Sequence, residues 1–413
     1  MGGHFSRKTL LLLISLFISA NFLAVLPVKA DEGPDGGNLE KRFKALEERV
    51  KDLEAENAEL KRQMGLIKIK EVGGAPPVSA EKVTGLEERV TKVEKGEPGQ
   101  VQVGHGTLKV GGLFQGWYIT DQDANDRFRL RRTEIKLSGK VTESEPIEYT
   151  IMVDPAQVTE SSSATARKSI LQDAFFTVGY LPHHTLDIGQ YKLGIGEEGT
   201  RGSSKIDTIE RAFISRTFSD QRDIGIRLNG KWDYLDYNVG VFNGSGQNQA
   251  DANDQKDYAG RVVLRPLKDV ELFKGFEVGM SGYHRPAHGA TLAKKRLGYE
   301  ARYEYKNFSL KGEYMAGQGT AAHTDAENRT LANGWYGQVG YYFFPKLQGV
   351  LKYEGYDPDE ESSDNKVEET TVGLNYFIDK YYAKVQLNYI HKDEEAEDEI
   401  VNDQIVGALQ VAF

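Results

Sequence analysis

The chain has 413 residues, 39% of them hydrophobic, and its mean hydropathy is −0.52. These values exclude a bundle of membrane-spanning helices, whereas a large transmembrane β-barrel tolerates them because about half of each strand faces water. The net charge of −10 argues against nucleic acid as a partner, and the lack of cysteine excludes disulfides and thiolate metal ligands.

Residues 1–30 have the pattern of a secretory signal peptide. Arg7 and Lys8 precede a long apolar run, and Val28 and Ala30 are small residues at the −3 and −1 positions of a cleavage site. A retained N-terminal membrane anchor is the alternative. Cleavage would leave 49 basic and 62 acidic residues, so the mature chain would carry a net charge of −13.

Residues 31–37 are rich in Asp, Gly and Pro, which predicts a flexible start, and residues 38–95 then carry heptads. A Gly/Pro-rich break at 73–77 divides the heptads into a long seam and a shorter one, and residues 96–105 follow as a linker. Apolar residues at heptad spacing predict an α-helical coiled coil that joins subunits in the periplasm, with a lone amphipathic helix on the barrel surface as the alternative. The long seam consists of Leu39, Phe43, Leu46, Val50, Leu53, Asn57, Leu60, Met64 and Ile67.

From residue 106 onward the heptads give way to strands in which apolar and charged side chains alternate. Tyr299, Ala301 and Tyr303, for example, alternate with Glu300 and Arg302. In a transmembrane barrel the apolar face of such a strand meets lipid and the charged face lines a wet lumen. The connections between about sixteen candidate strands alternate between short and long, which is typical of outer-membrane barrels. The strands begin near Leu108, Arg127, Glu148, Ser169, Thr185, Arg222, Leu235, Asp257, Gly275, Arg296, Phe308, Gly334, Lys346, Val367, Tyr381 and Asn402.

The last candidate strand ends at an aromatic residue. Ile405, Leu409 and Val411 share one face with Phe413. This ending resembles the C-terminal strand of bacterial outer-membrane barrels, whose final aromatic helps the assembly machinery to recognise the chain. We therefore predict an all-β transmembrane protein: a 16-stranded antiparallel outer-membrane β-barrel at residues 106–413, with an N-terminal α-helical coiled coil.

Several stretches resemble the phosphate- and polyphosphate-selective porins of Gram-negative bacteria, the outer-membrane porin O and P type. The resemblance implies a sixteen-stranded barrel, usually trimeric, with a narrow basic constriction. Arg131 and Arg132 match the paired arginines of the family's constriction, and Arg211 falls on a family-like position. Glu197 or Glu198 stands where the phosphate channels carry a selectivity lysine, a departure that argues against strict phosphate specificity. The stretches are VGGLFQGWY (110–118), FRLRRTEIKLSGKV (128–141), LQDAFFTVGY (171–180), LDIGQYKLGIGEEG (186–199), IERAF (209–213), DIGIRLNG (223–230) and GALQVAF (407–413).

Further charged residues are predicted to line the lumen because of their place in the alternation or in a Gly-rich segment. Residues 193–214 resemble an inward-folded constriction loop, with an external loop as the alternative. Phe128 and Ile135 have opposite parities, which predicts a β-bulge near Arg131 that turns Arg131 and Arg132 inward, unless Phe128 lies beyond the membrane band. Whether these charges select ions or form solvated ladders of pairs stays open. The additional lumen candidates are Lys136, Arg201, Arg227, Arg261, Arg265 and Arg302.

These features predict a porin in the outer membrane of a Gram-negative cell. It would let small hydrophilic solutes or ions diffuse passively, with weak selectivity for phosphate or other anions. A structural anchor that tethers the envelope through the coiled coil is the alternative, and an enzyme barrel is a weaker third. No catalytic or cofactor motif is present, so we expect no enzyme activity, cofactor or metal centre, although acidic loops such as 248–257 could bind divalent cations weakly.

The expected partners follow from this interpretation. They are outer-membrane lipid and lipopolysaccharide, other copies of the chain in a trimer, the barrel-assembly machinery at Phe413, and the cell wall. The coiled coil alone does not decide between a dimer and a trimer, because one buried Asn57 is compatible with either.

Overall fold

A computed structural model describes residues 100–413 except 123, 161–169, 252, 288–292, 319–330, 363–364 and 395–401. The predicted signal peptide, flexible start and coiled coil lie outside these described residues. The strands are β1 (Gln100–Val103), β2 (Gly106–Asp121), β3 (Arg127–Lys140), β4 (Ile147–Val153), β5 (Leu171–Val178), β6 (His184–Lys192), β7 (Arg222–Lys231), β8 (Leu235–Phe242), β9 (Asp257–Leu264), β10 (Phe276–Arg285), β11 (Lys294–Tyr305), β12 (Phe308–Gln318), β13 (Leu331–Phe344), β14 (Leu347–Asp357), β15 (Val367–Asp379), β16 (Ala383–Glu394) and β17 (Gln404–Ala412). Short helical turns occur at Gln157–Glu160, Glu197–Thr200, Ser203–Lys205 and Ser215–Ser219.

Strands β2 to β17 form one closed antiparallel sheet, so the predicted 16-stranded barrel is confirmed. Each strand pairs with the next along the chain, and β17 returns to pair with β2, where Gln404 lies opposite Asp121 and Ala412 lies opposite Leu113. Phe413 extends this seam, because its backbone N–H and C=O each bond to Gly112, at 3.1 and 3.0 Å. Each of the sixteen barrel strands begins within three residues of its predicted start.

The short strand β1 lies in the segment that the sequence predicts as a linker. It pairs with the first residues of β2 through a tight turn, with Gln100 opposite Lys109 and Val103 opposite Gly106. At the turn, Gly104 has a φ of 60°, a conformation that glycine adopts without steric cost. This hairpin occupies the edge of β2 beyond the point where β17 ends.

The two faces of the wall differ as a membrane barrel requires. Large apolar side chains such as Val239, Tyr299 and Leu387 point outward and are about half exposed in the isolated chain, which suits contact with lipid. Near the short-turn rim the outward aromatic rings cluster, and Trp232 stacks on Tyr237 with ring centroids 5.5 Å apart. Such a cluster resembles the aromatic girdle found at membrane interfaces. In the part of the chain that the structure describes, no helix is both long enough and apolar enough to cross a bilayer.

The connections alternate between two rims. Short turns such as 232–234, 306–307 and 345–346 join strands at one rim, and the connections at the other rim, such as 243–256, are mostly longer. Residues 265–275 are an exception, because this connection lies at the short-turn rim but contains consecutive hydrogen-bonded turns, including Val270 N to Leu267 O at 3.0 Å. By the usual orientation of these barrels, the long loops face outward from the cell and the short turns face the periplasm.

Candidate functional site

The connection between β6 and β7, residues 193–221, folds into the lumen. Gly194 and Gly196 have φ values of 81° and 73°, and a Cβ on Gly196 would lie 2.5 Å from the Glu313 carboxylate, so glycine allows the chain to turn inward here. At the far wall Lys384 Nζ donates to Ile206 O at 2.7 Å. The predicted constriction loop is therefore inside the barrel, and the external-loop alternative is wrong.

Apolar side chains seat this constriction loop against the wall. Ala212, Ile214 and Phe218 pack with Met315 and Tyr336 in a cluster that is almost fully buried. Each of these side chains leaves water when the loop docks, and burial of one large apolar side chain contributes roughly 1.5–3 kcal/mol. This apolar cluster thus lies between loop and wall, and it fixes the loop on one side of the bore.

Asp207 is the polar centre of the same contact. Its carboxylate forms an ion pair with Lys311 and accepts a hydrogen bond from Gln338 Nε2 at 3.0 Å, while its carbonyl accepts from Asn375 Nδ2 at 2.7 Å and Gln386 Nε2 at 3.0 Å. The inward side chains of β12 to β17 that meet the loop are almost completely buried. We call this surface the sealed wall; it consists of Lys311, Gln338, Gln348, Asn375, Lys384 and Gln386.

Arg211 does not line the bore, which corrects the prediction from the sequence. Its side chain is 0% exposed and donates to Asp220 at 3.1 Å, to Glu198 O at 3.0 Å and to Arg201 O at 2.8 Å. Glu198 is likewise buried, and its carboxylate accepts the Ala212 N–H at 2.7 Å. Both residues hold the loop together from inside, because a loop folded into a lumen needs internal partners for its backbone groups.

Glu197 and Arg201 form the edge of the loop nearest the short-turn rim. They pair with each other at 2.5 Å, and Arg302 reaches Glu197 at 3.9 Å and Glu277 at 3.0 Å. Glu197 is 6% exposed. Glu197, one of the two residues predicted at the position of the family's lysine, is thus neutralised by two arginines instead of facing the solute alone.

Opposite the sealed wall, charged side chains remain partly exposed to the bore. Arg131 pairs with Glu210 at 3.0 Å, and its side chain is 17% exposed. Arg132 lies 3.6 Å from Glu134 and donates to Gln115 Oε1 at 2.8 Å, but it is only 5% exposed, so it is covered and, contrary to the prediction, does not face the bore. The register of β2 and β3 shifts so that Gln115 faces Arg132 while Gly116 faces Leu130, which leaves Arg131 as the extra residue of a β-bulge. The bulge occurs where the sequence predicted it, and it lets adjacent arginines both turn inward.

Two further ion pairs continue this surface and were missed by the sequence analysis. Lys192 contacts Asp220 at 2.6 Å, and Arg222 contacts Asp173 at 2.8 Å. Lys192 and Arg222 lie at the ends of β6 and β7, where the loop begins and ends, so alternation along a strand gave no signal for them. We call the surface of half-buried charges the open wall; it consists of Arg131, Glu134, Asp173, Lys192 and Arg222, together with Glu210 and Asp220 of the loop.

The remaining predicted lumen residues face inward on other strands, mostly in ion pairs. Arg227 contacts Asp187 at 2.8 Å, Arg261 pairs with Glu300, and Arg265 contacts Glu277 at 2.8 Å. Lys136 differs from them, because it is exposed and forms no ion pair with any described residue. An ion pair cancels much of the electric field that each partner would exert on a passing ion. Unpaired cations therefore affect the electrostatic barrier for ions more than paired ones do.

The loop carboxylates are held ionised by neighbouring cations. Burial alone would raise the pKa of Glu210, but the guanidinium groups of Arg131 and Arg132 outweigh it and lower that pKa to about 2. Lys192 and Arg211 lower the pKa of Asp220 in the same way, against the effect of its burial. Both pairs are therefore charged at neutral pH, and the loop meets the open wall through ionic contacts.

This arrangement is of a kind that can pass and filter small solutes. Across the described ranges, no group of three or more His, Asp or Glu side chains could hold a metal ion. His183 and His184 lie in a short turn, where their rings contact Trp232. A channel requires only a hydrated path, a constriction and charges that set the barrier for ions.

Comparison with solved structures shows the same fold. The outer-membrane channel DcaP of Acinetobacter baumannii is 12% identical, with a TM-score of 0.54 over 75% of this chain and 97% of that chain. Salmonella typhi OmpF in complex with daunomycin is 13% identical, with a TM-score of 0.56 over 76% and 100% of the two chains. An anion-selective porin from Comamonas acidovorans is 11% identical, with a TM-score of 0.51 over 75% and 100%.

Comparison at the level of sequence gives a more specific result. Curated protein sequences give no significant match. The family model described as phosphate-selective porin O and P matches residues 110–285 and 277–413, which together cover nearly all of the barrel. The barrel, the inward loop and the inward-facing charges described above agree with that match, and the chain belongs to the phosphate-selective porin O and P family.

Proposed function

We propose that this outer-membrane porin lets small hydrophilic solutes diffuse passively along the open wall, with a weak preference for anions. The observation that carries the proposal is the contrast in exposure across the lumen. Lys384 on the sealed wall is 1% exposed, whereas the side chains of Lys192 and Asp220 on the opposite side are 19% and 22% exposed. Water and solutes therefore have access to one side of the bore, and no catalytic group is needed for passage.

The weak anion preference rests on cations that lack a carboxylate partner. Lys136 and Arg216 are exposed, and neither forms an ion pair with a described residue. Arg216 instead lies over the Phe213 ring, 4.5 Å from its centroid. The open wall and these two side chains together carry an excess of positive charge, but the ion pairs beside them keep the excess small.

Planar lipid bilayers test both parts of this proposal. We expect stable single-channel currents, and a reversal potential under a salt gradient that indicates modest chloride over potassium permeability. Purified protein that inserts but conducts no current would contradict the diffusion proposal. A reversal potential that favours potassium would contradict the anion preference and leave diffusion standing.

Strict phosphate selectivity is not part of the proposal. Glu197 or Glu198 is the predicted match to a lysine of the family's phosphate channels. Arg201 and Arg302 neutralise Glu197, and Glu198 is buried. We expect phosphate at millimolar concentration to leave the chloride current unchanged. Strong block by phosphate, with binding at Lys136 or Lys192 revealed by substitution, would contradict this expectation.

The N-terminal segment is proposed to assemble subunits. Nine residues from Leu39 to Ile67 recur at the alternating intervals of four and three that mark a coiled-coil seam. At ~1.5 Å per residue, a helix of this length would extend roughly 43 Å into the periplasm. Porins of this family are usually trimers, so the predicted coiled coil favours three copies per assembly. Deletion of residues 38–95 is expected to weaken the oligomer, measured by crosslinking and mass photometry, while each barrel stays folded.

An envelope tether is the second candidate function, and the length of the predicted helix favours it. A helix of that length would leave the membrane surface and approach the cell wall. The same deletion distinguishes the roles: if solute uptake persists while envelope integrity fails, tethering is the main function of the segment. If uptake and integrity are both unchanged, the tether proposal is wrong.

Membrane partners are proposed from the outer surface. The outward apolar band would contact lipid, and the long-loop rim would meet lipopolysaccharide. Phe413 is 72% exposed and lies at the end of the closing seam, where the barrel-assembly machinery could reach it. Phe413→Ala is expected to slow assembly in cells more than it lowers the stability of the folded barrel.

A further inference from the structure

A polar cavity lies at the long-loop rim, apart from the open wall. Its volume is about 330 Å³, and the connection 243–256 covers the ends of β9 and β10 to form it. Volumes of about 300–1,000 Å³ are typical of small-molecule sites. The lining residues that matter for its chemistry are Asn243, Ser245, Asn253, Gln255, Asp257 and Arg285.

The loop over this cavity is held in place by contacts with three other strands. Gly244 N donates to Asp223 on β7 at 2.8 Å, Asn248 N donates to Gln190 on β6 at 2.6 Å, and Asn248 Nδ2 donates to Leu171 O on β5 at 2.9 Å. A site whose walls are already fixed loses little conformational entropy when a ligand binds. The loop is therefore a preorganised wall across the mouth of the barrel.

The charges at the base of the cavity cancel. Asp257 is 1% exposed, and the Arg285 guanidinium contacts both of its oxygens, with Nε 3.0 Å from each. Tyr283 also donates its hydroxyl hydrogen to Asp257, and Arg285 donates to Gly244 O. In the same loop Asp251 pairs with Lys256. Neither a free cation for an anion nor a free carboxylate for a metal ion remains among these groups.

What the cavity offers instead is neutral hydrogen-bonding capacity. Asn243, Asn253 and Gln255 supply amides that donate and accept, and Ser245 supplies a hydroxyl. Gln255 Nε2 is a buried donor that finds no partner in the described residues. Because that nitrogen has almost no accessible surface, the groups open to a ligand are the amides of Asn243 and Asn253 and the hydroxyl of Ser245, which line the cavity.

We infer that this cavity binds a neutral polyhydroxylated solute, such as a mono- or disaccharide. Amide side chains and one hydroxyl complement adjacent sugar hydroxyls, which both donate and accept, and the cancelled Asp257–Arg285 charges suit an uncharged ligand. The site goes beyond the diffusion proposal, because it assigns a ligand class to the outer mouth and does not use the open wall.

Equilibrium dialysis of radiolabelled maltose against the full-length protein in detergent tests this inference. We expect saturable binding that excess inorganic phosphate does not displace. Asn253→Leu removes a lining amide and is expected to weaken binding about tenfold, and Ser245→Ala is expected to weaken it less. Asn125→Leu, an exposed amide in the connection between β2 and β3, is the matched control and should bind as the unchanged protein does.

Three results would overturn the inference: no saturable maltose binding, equal binding by Asn253→Leu, or displacement by phosphate. Resistance of each variant to unfolding in sodium dodecyl sulfate without heating verifies that the barrel is intact, and Ser245→Ala keeps the test valid if Asn253→Leu fails to fold. Binding in detergent requires no current. Maltose binding with no current would therefore support this inference and contradict the diffusion proposal. A current without maltose binding would support diffusion and contradict this inference.

Discussion

The sealed wall and the open wall are built from the same kind of alternating strand, yet they differ in what covers them. On the sealed wall, Lys311 and Lys384 point inward but are held beneath the loop by Asp207 and Ile206 O. On the open wall, Arg131 and Lys192 also point inward, and their partners on the loop leave them partly exposed. An inward charge in a barrel therefore belongs to the transport path only if no other part of the chain packs over it.

The largest expected effect comes from removing the loop's internal anchor. Arg211→Ala removes the hydrogen bonds to Asp220 and to the carbonyls of Glu198 and Arg201, and breaking a buried charged contact costs about 3–5 kcal/mol. We expect the loop to leave the sealed wall, so that both walls become wet and the single-channel conductance rises. Conductance in planar bilayers measures this.

Arg127→Ala is the control for that experiment, because the Arg127 side chain is 47% exposed and contacts Asp121 and Asn125 O at the long-loop rim, away from the loop 193–221. It should conduct as the unchanged protein does. If Arg211→Ala forms a folded barrel with unchanged conductance, the distinction between the walls does not depend on the loop as described.

The second prediction uses pH to loosen the loop from the open wall. The pKa of Glu210 falls from its ordinary value of 4.5 to about 2 in the folded protein, so its ion pair stabilises the loop above about pH 4.5. That contribution is lost as pH falls through about 2, because the Glu210 carboxylate is then protonated in the folded protein as well as in the unfolded chain. We expect conductance to stay constant from pH 7 to about 4.5, to change below that value, and to settle near pH 2.

Glu210→Gln provides the matching variant, because it removes the charge but keeps the size of the side chain. It should show at neutral pH part of the behaviour that the unchanged protein shows near pH 2. A conductance change centred near pH 6 would point to histidine and contradict the assignment to Glu210.

A smaller effect is expected from single charges on the open side of the lumen. A unit charge about 4 Å from a passing ion in water contributes about 1 kcal/mol, which corresponds to about a fivefold change in permeability ratio. Lys136→Gln is expected to lower the chloride-to-potassium permeability ratio by up to that factor. The reversal potential under a salt gradient measures the ratio, and an unchanged potential would remove Lys136 from the path.

The smallest effect is expected from the same loss of charge on the sealed wall. Lys384→Met removes the hydrogen bond to Ile206 O, which contributes about 1 kcal/mol, but it exposes no new charge to the bore. We expect a slightly lower resistance to thermal unfolding and no change in reversal potential. A shift as large as that of Lys136→Gln would show that the sealed wall is not sealed.

The sequence predicted the barrel well because alternation and turn spacing are local signals. Strand starts, the closure of the sheet and the bulge at Arg131 all follow from the parity of neighbouring side chains. Arg211 and Glu198 were placed in the bore incorrectly, because parity states which way a side chain points but not whether a distant loop covers it. Lys192 and Arg222 were missed for a related reason, since they lie where strand geometry ends.

The seam between β17 and β2 has a consequence for how the protein is made. Gln404 and Asp121 meet across it although they are 283 positions apart in the chain. Until that distant pairing forms, β2 and β17 are edge strands whose unpaired backbone N–H and C=O groups can pair with another chain. The pairing of β17 with β2 is long-range, so it is expected to form slowly. Until it has formed, the open sheet needs protection from aggregation.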